Sequence, residues 1–192
     1  MTAGPTASGP PRRFGIRWWL RIIERTFAIF GLSFLLFHLT FMTSVIVSPS
    51  MSPALQGHHW SDGDRVVTEL VSYRFRRPRR WEVVTFRRAD GAIVMKRVVG
   101  LPGEKLQLRS NGDLVINDAV VPRPTSLSQV RYLPVALVMN DKSVDCGLGY
   151  FVLGDDSMDS EDSRFEGPIP SSWILGRAWF IFQPVTRMGW VN

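Results

Sequence analysis

Three short patches carry the residue types that chemistry needs. The first is Ser48-Pro49-Ser50-Met51-Ser52-Pro53, a serine in a proline-braced turn. A serine hydroxyl is a weak nucleophile until a base takes its proton. No histidine occurs after His59, so no Ser-His-Asp set is at hand. The second patch, Met95-Lys96-Arg97-Val98-Val99-Gly100-Leu101-Pro102-Gly103, offers a lysine in an apolar strand. Burial disfavours an ammonium by desolvation, and an amine so treated can act as the base. The third, Gly154-Asp155-Asp156-Ser157-Met158-Asp159-Ser160-Glu161-Asp162-Ser163-Arg164, is a loop dense in hydroxyls and carboxylates. Together they predict a Ser-Lys hydrolase.

Each residue also has a plainer reading. Alternation puts Val94, Lys96 and Val98 on one face of a strand, and Ile93, Met95, Arg97 and Val99 on the other. Lys96 then lies between two valines, where it would be desolvated, while Arg97 faces away and stays charged and paired. Both faces are apolar, so periodicity leaves open an ordinary strand lysine. Ser50 could equally sit in a turn with no role. A turn, however, exposes its hydroxyl and frees backbone N–H groups for an oxyanion, and Ser48 could add a hydrogen bond. The acidic loop lacks the central glycine and terminal glutamate of a calcium-binding loop. Cys146 stands alone, so no intramolecular disulfide forms. Its only histidine partners as a nucleophile would be His38, His58 or His59, and His38 falls in an apolar run.

That run sets the frame for the site. From Thr26 to Val47 no acidic residue, lysine or arginine occurs, and Phe and Leu dominate. About 22 residues at ~1.5 Å rise would cross the ~30 Å hydrocarbon core. A cleaved signal peptide is the nearer rival, but the run exceeds its usual ~7–15 apolar residues and no A-x-A-like site follows. We therefore expect one long helix from about residue 14 to Val47, ended by Ser48-Pro49. Arg12, Arg13, Arg17, Arg21 and Arg25 precede the span, which predicts a cytoplasmic N-terminus by the positive-inside rule. Those five arginines less Glu24 give about +4 of the total +6, so the basic balance does not call for nucleic acid. Arg74, Arg76, Arg77, Arg79 and Arg80 form a local knot, read either as a solvated turn or as a contact for anionic lipid.

Beyond the span the pattern turns to strands. Residues 65–71, 82–86, 92–99, 105–108, 114–116, 150–153 and 177–182 are short β-favouring runs divided by Asp-Gly, Asn-Gly and Pro-Gly steps. The expected architecture is mainly β, with a cytoplasmic basic tail at 1–25, a transmembrane helix at 26–47 and an extracytoplasmic catalytic domain at 48–192. Its sheets are expected to be antiparallel, packed and partly closed. The stretch from Val121 to Ser143 reads as surface loop with one short strand.

The three patches, in this order and spacing, resemble the boxes of bacterial type I signal peptidases. Patterns of the type S-x-S-M-x-P, K-R-x-x-G-L-P-G and G-D-N-x-x-x-S-x-D-S-R match this chain closely, as do Gly63-Asp64-Arg65-Val66, Tyr73 and Pro78, and Gly167-Pro168-Ile169-Pro170. The resemblance covers roughly residues 26–184. It implies Ser50 as nucleophile, Lys96 as general base, and Ser48 beside the Ser50 N–H as oxyanion donors. It implies that Ser160 orients the lysine amine, and that Asp155, Arg97, Asp162 and Arg164 brace the site. It further implies preproteins with signal peptides as substrates, the bacterial inner membrane as location with the catalytic domain outside, a monomer, and no cofactor or metal. Three departures stand out: Asp156 for the usual Asn, Glu104 for the usual Asp, and Arg80-Trp81-Glu82 where Arg-Gly-Asp is common. The rival readings are a Ser-Lys self-cleaving repressor, which would need a DNA-binding helix pair, and a non-catalytic membrane-anchored β-domain that binds partners.

Overall fold

The computed structural model of the chain describes residues 15–134 and 143–191. Arg12, Arg13 and the start of the basic tail lie outside the described residues, as does part of the 121–143 stretch. Two units are distinct: one to Leu39, the other from Thr40 onward.

The first unit is helix α1 (Ile16–Thr40), 25 residues with none buried within the molecule. At ~1.5 Å per residue it is about 37 Å long. Trp18 and Trp19 meet edge-on near its start, with ring centroids 4.9 Å apart.

The helix ends earlier than the sequence suggests. Phe41–Val45, which the sequence reading assigns to the span, form strand β1. It pairs antiparallel with β2 (Arg65–Glu69), from Phe41 opposite Glu69 to Val45 opposite Arg65. Thr43, Val45, Ile46 and Val47 are β-branched, a composition that suits an extended chain given a partner. The partner lies twenty residues on, so the local apolar run could not reveal it.

The chain then adds helix α2 (Ser72–Phe75), β3 (Val83–Arg87), β4 (Ile93–Gly100), β5 (Lys105–Leu108), β6 (Leu114–Ile116), β7 (Ala119–Val120), β8 (Val144–Asp145), β9 (Phe151–Leu153), helix α3 (Ser163–Glu166), β10 (Ile174–Gln183) and β11 (Gly189–Trp190). The large antiparallel sheet runs β1-β2-β10-β3-β4-β9, with β11 on β10, and the smaller runs β7-β6-β5-β8. All seven expected strands form. Both sheets are open paths among the described residues, so the expected partial closure is not seen. From residue 122 to 134 the chain forms a short 3-10 turn at Thr125–Leu127. No strand forms among the described residues of the 121–143 stretch; β8 begins just beyond it, at Val144.

Apolar side chains cover both faces of the large sheet. Met95, Val83 and Val66 join Met51, Leu55 and Ile46 in one cluster. Val84, Phe86, Val98, Tyr150 and Val152 form a second. Leu106, Leu108, Leu114 and Ile116 of the smaller sheet pack with Val99, Phe151 and Leu153 in a third. β4 therefore runs through the interior, and from Met95 to Gly100 every residue is buried. The two cations in it, Lys96 and Arg97, are only 4% and 0% exposed.

Candidate active site

Ser50 is the middle residue of a 3-10 turn, Pro49–Met51. Pro49 suits the first position of such a turn, where its missing N–H costs nothing. The turn closes through the Ser52 N–H donating to the Pro49 carbonyl at 2.7 Å. Met51, 2% exposed, anchors it in the core beside Met95.

This anchoring brings Ser50 Oγ to 2.7 Å from Lys96 Nζ. Forty-six residues separate the two in sequence. Lys96 lies opposite Val84 in the β3–β4 register, and Val94 and Val98, its neighbours by alternation, belong to the Val84 cluster. It is 4% exposed. Burial pulls its pKa down from 10.5 to about 8. The Asp162 charge opposes that shift, while the nearby Arg164 and Arg88 reinforce it. Near neutrality, then, a useful fraction of the amine is unprotonated and able to accept a proton.

Ser48 Oγ stands 3.0 Å from Ser50 Oγ. A cleft of about 810 Å³ opens in front of them, lined by residues of three segments, among them Val45, Ile93, Lys96 and Ser160.

Behind the pair the polar loop is tied down by two buried ion pairs. Arg97 donates Nε and Nη2 to the two oxygens of Asp155 at 2.8 and 2.6 Å, and Nη1 to the Trp81 carbonyl at 2.7 Å. Arg164 donates Nε to Asp162 Oδ1 at 2.8 Å and Nη2 to Oδ2 at 2.9 Å. Such two-pronged pairs fix orientation as well as charge. Asp162 also accepts the Gly154 N–H at 2.9 Å and the Ser160 hydroxyl at 2.7 Å. The Asp156 N–H donates to the Ser50 carbonyl at 3.1 Å, which stitches the loop to the serine turn. A Cβ on Gly154 would collide with the Ser50 carbonyl and the Ser160 side chain, so only glycine allows this approach.

All eight residues singled out from sequence thus meet in one place. Ser160 has spent its single donor on Asp162, so toward Lys96 it can only accept. The departures also have a physical account. Glu104 pairs with Arg80 at 2.6 Å and accepts the Leu101 N–H at 2.7 Å. Asp156 accepts the Met158 N–H at 3.0 Å. Trp81 sits at φ +73°, in the left-handed region that glycine occupies freely. Cys146 lies elsewhere; burial and then the nearby Glu104 and Asp145 push its thiol up to about 11, which suppresses the thiolate.

Sequence reasoning missed Tyr132. It is fully buried and donates its hydroxyl to Asp155 Oδ1 at 3.2 Å. Burial, then the Asp155 charge, raise its pKa, so it remains a donor. Arg88 was missed too; it holds Glu161 and Glu166 at the cleft rim.

The chain matches the family described as "Signal peptidase, peptidase S26" over residues 19–183. It is 33% identical over 151 residues to a probable signal peptidase I-2 of Synechocystis, covering 75% of this chain and 64% of that one. It is 33% identical over 153 residues to the signal peptidase I of Leptolyngbya laminosa, covering 75% and 70%. The crystal structure of a signal peptidase I from Enterococcus faecalis is similar at 28% identity and a TM-score of 0.43, covering 53% of this chain and 97% of that one. The matched segment thus spans 64% and 70% of the length of the Synechocystis and Leptolyngbya proteins. The family match and these relatives indicate a serine endopeptidase. The chain belongs to the signal peptidase family, peptidase S26.

Proposed function

We propose that the chain is a membrane-anchored endopeptidase that removes signal peptides from exported preproteins, with Ser50 as nucleophile and Lys96 as base. The observation that carries this reading is a hydroxyl 2.7 Å from a buried lysine whose pKa burial lowers to about 8.

Ser50 Oγ attacks the carbonyl carbon after the signal peptide, and its proton passes to Lys96 Nζ. Collapse of the tetrahedral intermediate breaks the C–N bond. The lysine proton goes to the departing amine, leaving an acyl-Ser50 ester. Lys96 then takes a proton from water, the hydroxide cleaves the ester, and Ser50 is restored. The Ser50 backbone N–H and the Ser48 hydroxyl supply the oxyanion donors; no acceptor for that N–H is found among the described residues. Ser160, its own proton engaged by Asp162, accepts from the lysine amine and steers it. Arg97–Asp155 and Arg164–Asp162 hold the loop that carries Ser160.

α1 serves as the single transmembrane anchor, with its N-terminus in the cytoplasm and the β-rich domain on the outer face of the bacterial inner membrane. Five arginines before the apolar run support that orientation. The enzyme works as a monomer on the bilayer, where signal peptides present their cleavage sites.

The test uses the full chain in spheroplasts depleted of their own processing enzyme. A model preprotein added from outside should be cut at its small-residue site, as read by mass spectrometry, and Ser50→Ala should leave it intact. Cleavage only after permeabilisation would reverse the orientation. Undiminished cleavage by Ser50→Ala would remove the serine from the mechanism.

A further inference from the structure

One end of the large sheet gathers basic and apolar residues that the peptidase reading leaves unused. β1 begins at Phe41, directly after α1 ends, and Phe41 pairs with Glu69 at the end of β2. The Leu70 N–H donates to the Thr40 carbonyl at 2.9 Å. Because the strands alternate in direction, the same end carries the start of β10 at Ile174 and the end of β3 at Arg87; Ile174 pairs with Phe86. It is therefore the end to which the apolar helix is covalently joined.

A cleft of about 440 Å³ lies there, within the ~300–1,000 Å³ usual for small-ligand sites. Met42, Leu70 and Leu175 give it apolar walls, and Arg74 and Arg87 supply its charge. Both arginines are exposed. Neighbouring arginines are satisfied: Arg76 by Glu82 at 2.8 Å, Arg88 by Glu166 at 2.8 Å. Arg74 and Arg87 have no carboxylate within ion-pair distance among the described residues; Arg87 reaches only the Gly91 carbonyl, at 3.4 Å. Beside Arg74, Phe75 is 86% exposed.

Two guanidinium groups lacking anions, over apolar walls, fit an amphiphile with an anionic head. A guanidinium fork matches phosphate oxygens in pairs. We propose that this cleft binds the head of an anionic phospholipid, with Arg74 and Arg87 on the phosphate and the first methylenes along Met42, Leu70 and Leu175. Phe75 enters the interfacial layer beside it. The proposal rests on α1 being the anchor, and it adds a lipid-selective site to that reading. It also has a catalytic consequence. Arg87 pairs in register with Ile93, which lines the cleft of Ser50 and Lys96. A lipid held by Arg87 presents the mouth of that cleft to the bilayer surface, where the scissile bond arrives.

The experiment is native mass spectrometry of the full chain in detergent with phosphatidylglycerol or phosphatidylcholine. The wild type should retain phosphatidylglycerol preferentially. Arg74→Gln/Arg87→Gln should lose on the order of tenfold in retained lipid. Arg109→Gln/Arg131→Gln, with the same net charge at a distant site, should retain it, and Arg74→Lys/Arg87→Lys should fall between. Equal retention of the two lipids by the wild type would overturn the proposal, as would undiminished retention by the Gln pair or equal loss in the control. Displacement by glycerol phosphate at equal concentration would overturn the lipid assignment in favour of a free phosphate ligand. Peptide cleavage in detergent should be unchanged in the Gln pair. Its absence in the wild type would sink the peptidase reading while leaving the lipid result standing.

Discussion

Lys96 and Arg97 are neighbours on β4, both cationic and both buried, and the protein treats them oppositely. Arg97 receives a carboxylate with both oxygens engaged, a backbone carbonyl, and Tyr132 behind the carboxylate. Burial alone would lower its pKa, but the hydrogen bonds and charge of Asp155 outweigh that and hold it raised. Lys96 receives a hydroxyl. The acid that acts on it most strongly, Asp162, is already bound to Arg164, and burial wins. A paired buried cation is a structural bolt, whereas one left without its own anion is unstable in its charged form and becomes a base. Inserting a carboxylate for Lys96 would turn it into a second bolt and end its chemistry.

The largest effect should come from Lys96→Met, which keeps the volume and removes the amine. The processing rate should fall by on the order of 10⁴-fold or more, since the dyad acts as a unit. Stability should move the other way. Folded Lys96 binds its proton more weakly than the unfolded lysine does. Its cost is complete below about pH 8 and disappears as pH rises through the unfolded value near 10.5. Wild-type stability should therefore climb between pH 8 and 10.5, while Lys96→Met lacks that climb. At pH 7 the variant should be more stable by up to roughly 3 kcal/mol, at ~1.36 kcal/mol per pKa unit. Thermal unfolding at pH 7 and 10 checks this, and a less stable variant at pH 7 would mean the ammonium is well solvated. In the wild type, kcat should rise with pH to a plateau above about 8.

The matching change next door should have the opposite sign. Arg97→Met leaves Asp155 buried without its cation, and breaking one partner of a buried pair costs about 3–5 kcal/mol. That is a large share of a typical domain's ~5–15 kcal/mol, so soluble yield should drop. Urea unfolding of the surviving protein gives the number. A cost below about 1 kcal/mol would erase the contrast between the two cations.

How much of this was legible in the sequence follows from the range of the interactions. Ser50 and Lys96 could be named as candidates because turn chemistry and strand patterning are local, but those patterns left plainer readings open, and the resemblance of the three patches is what assigned their roles. Their meeting is not encoded locally, since the 46-residue separation is closed by tertiary contacts: the cluster that holds both Met51 and Met95, and the Asp156 N–H on the Ser50 carbonyl. Tyr132 was hidden in an aperiodic stretch whose partner, Asp155, lies 23 residues away. β1 was hidden because Phe41–Val45 is as apolar as the helix before it, and only β2 distinguishes the two. β7, β8 and β11, at two residues each, are too short to show alternation. The regular spacing of short strands suggests partial closure, but spacing does not fix whether a sheet meets its own edge.

The smallest effect sharpens the same comparison through Trp81, whose carbonyl is one of the groups that hold Arg97. Its N–H donates to the Val98 carbonyl at 2.7 Å, so both backbone groups of Trp81 face β4. That double engagement holds φ at +73°, where a residue with a Cβ pays roughly 1–2 kcal/mol. The indole is half-buried against the cluster of Val99 and Leu106, which compensates. Trp81→Ala and Trp81→Gly lose the same packing, but only glycine relieves the backbone. Alanine normally exceeds glycine by about 0.5–1 kcal/mol within regular structure. Here the order should invert, with Trp81→Gly more stable than Trp81→Ala by roughly 0.5–1 kcal/mol once glycine's extra chain entropy is subtracted. Urea midpoints of the two variants decide it. If alanine comes out ahead, the turn has relaxed out of the left-handed region, and the carbonyl has left Arg97 with it. The arginine pocket would then hold through Asp155 alone, and activity, which depends on Lys96 and Ser50, should still be close to that of the glycine variant.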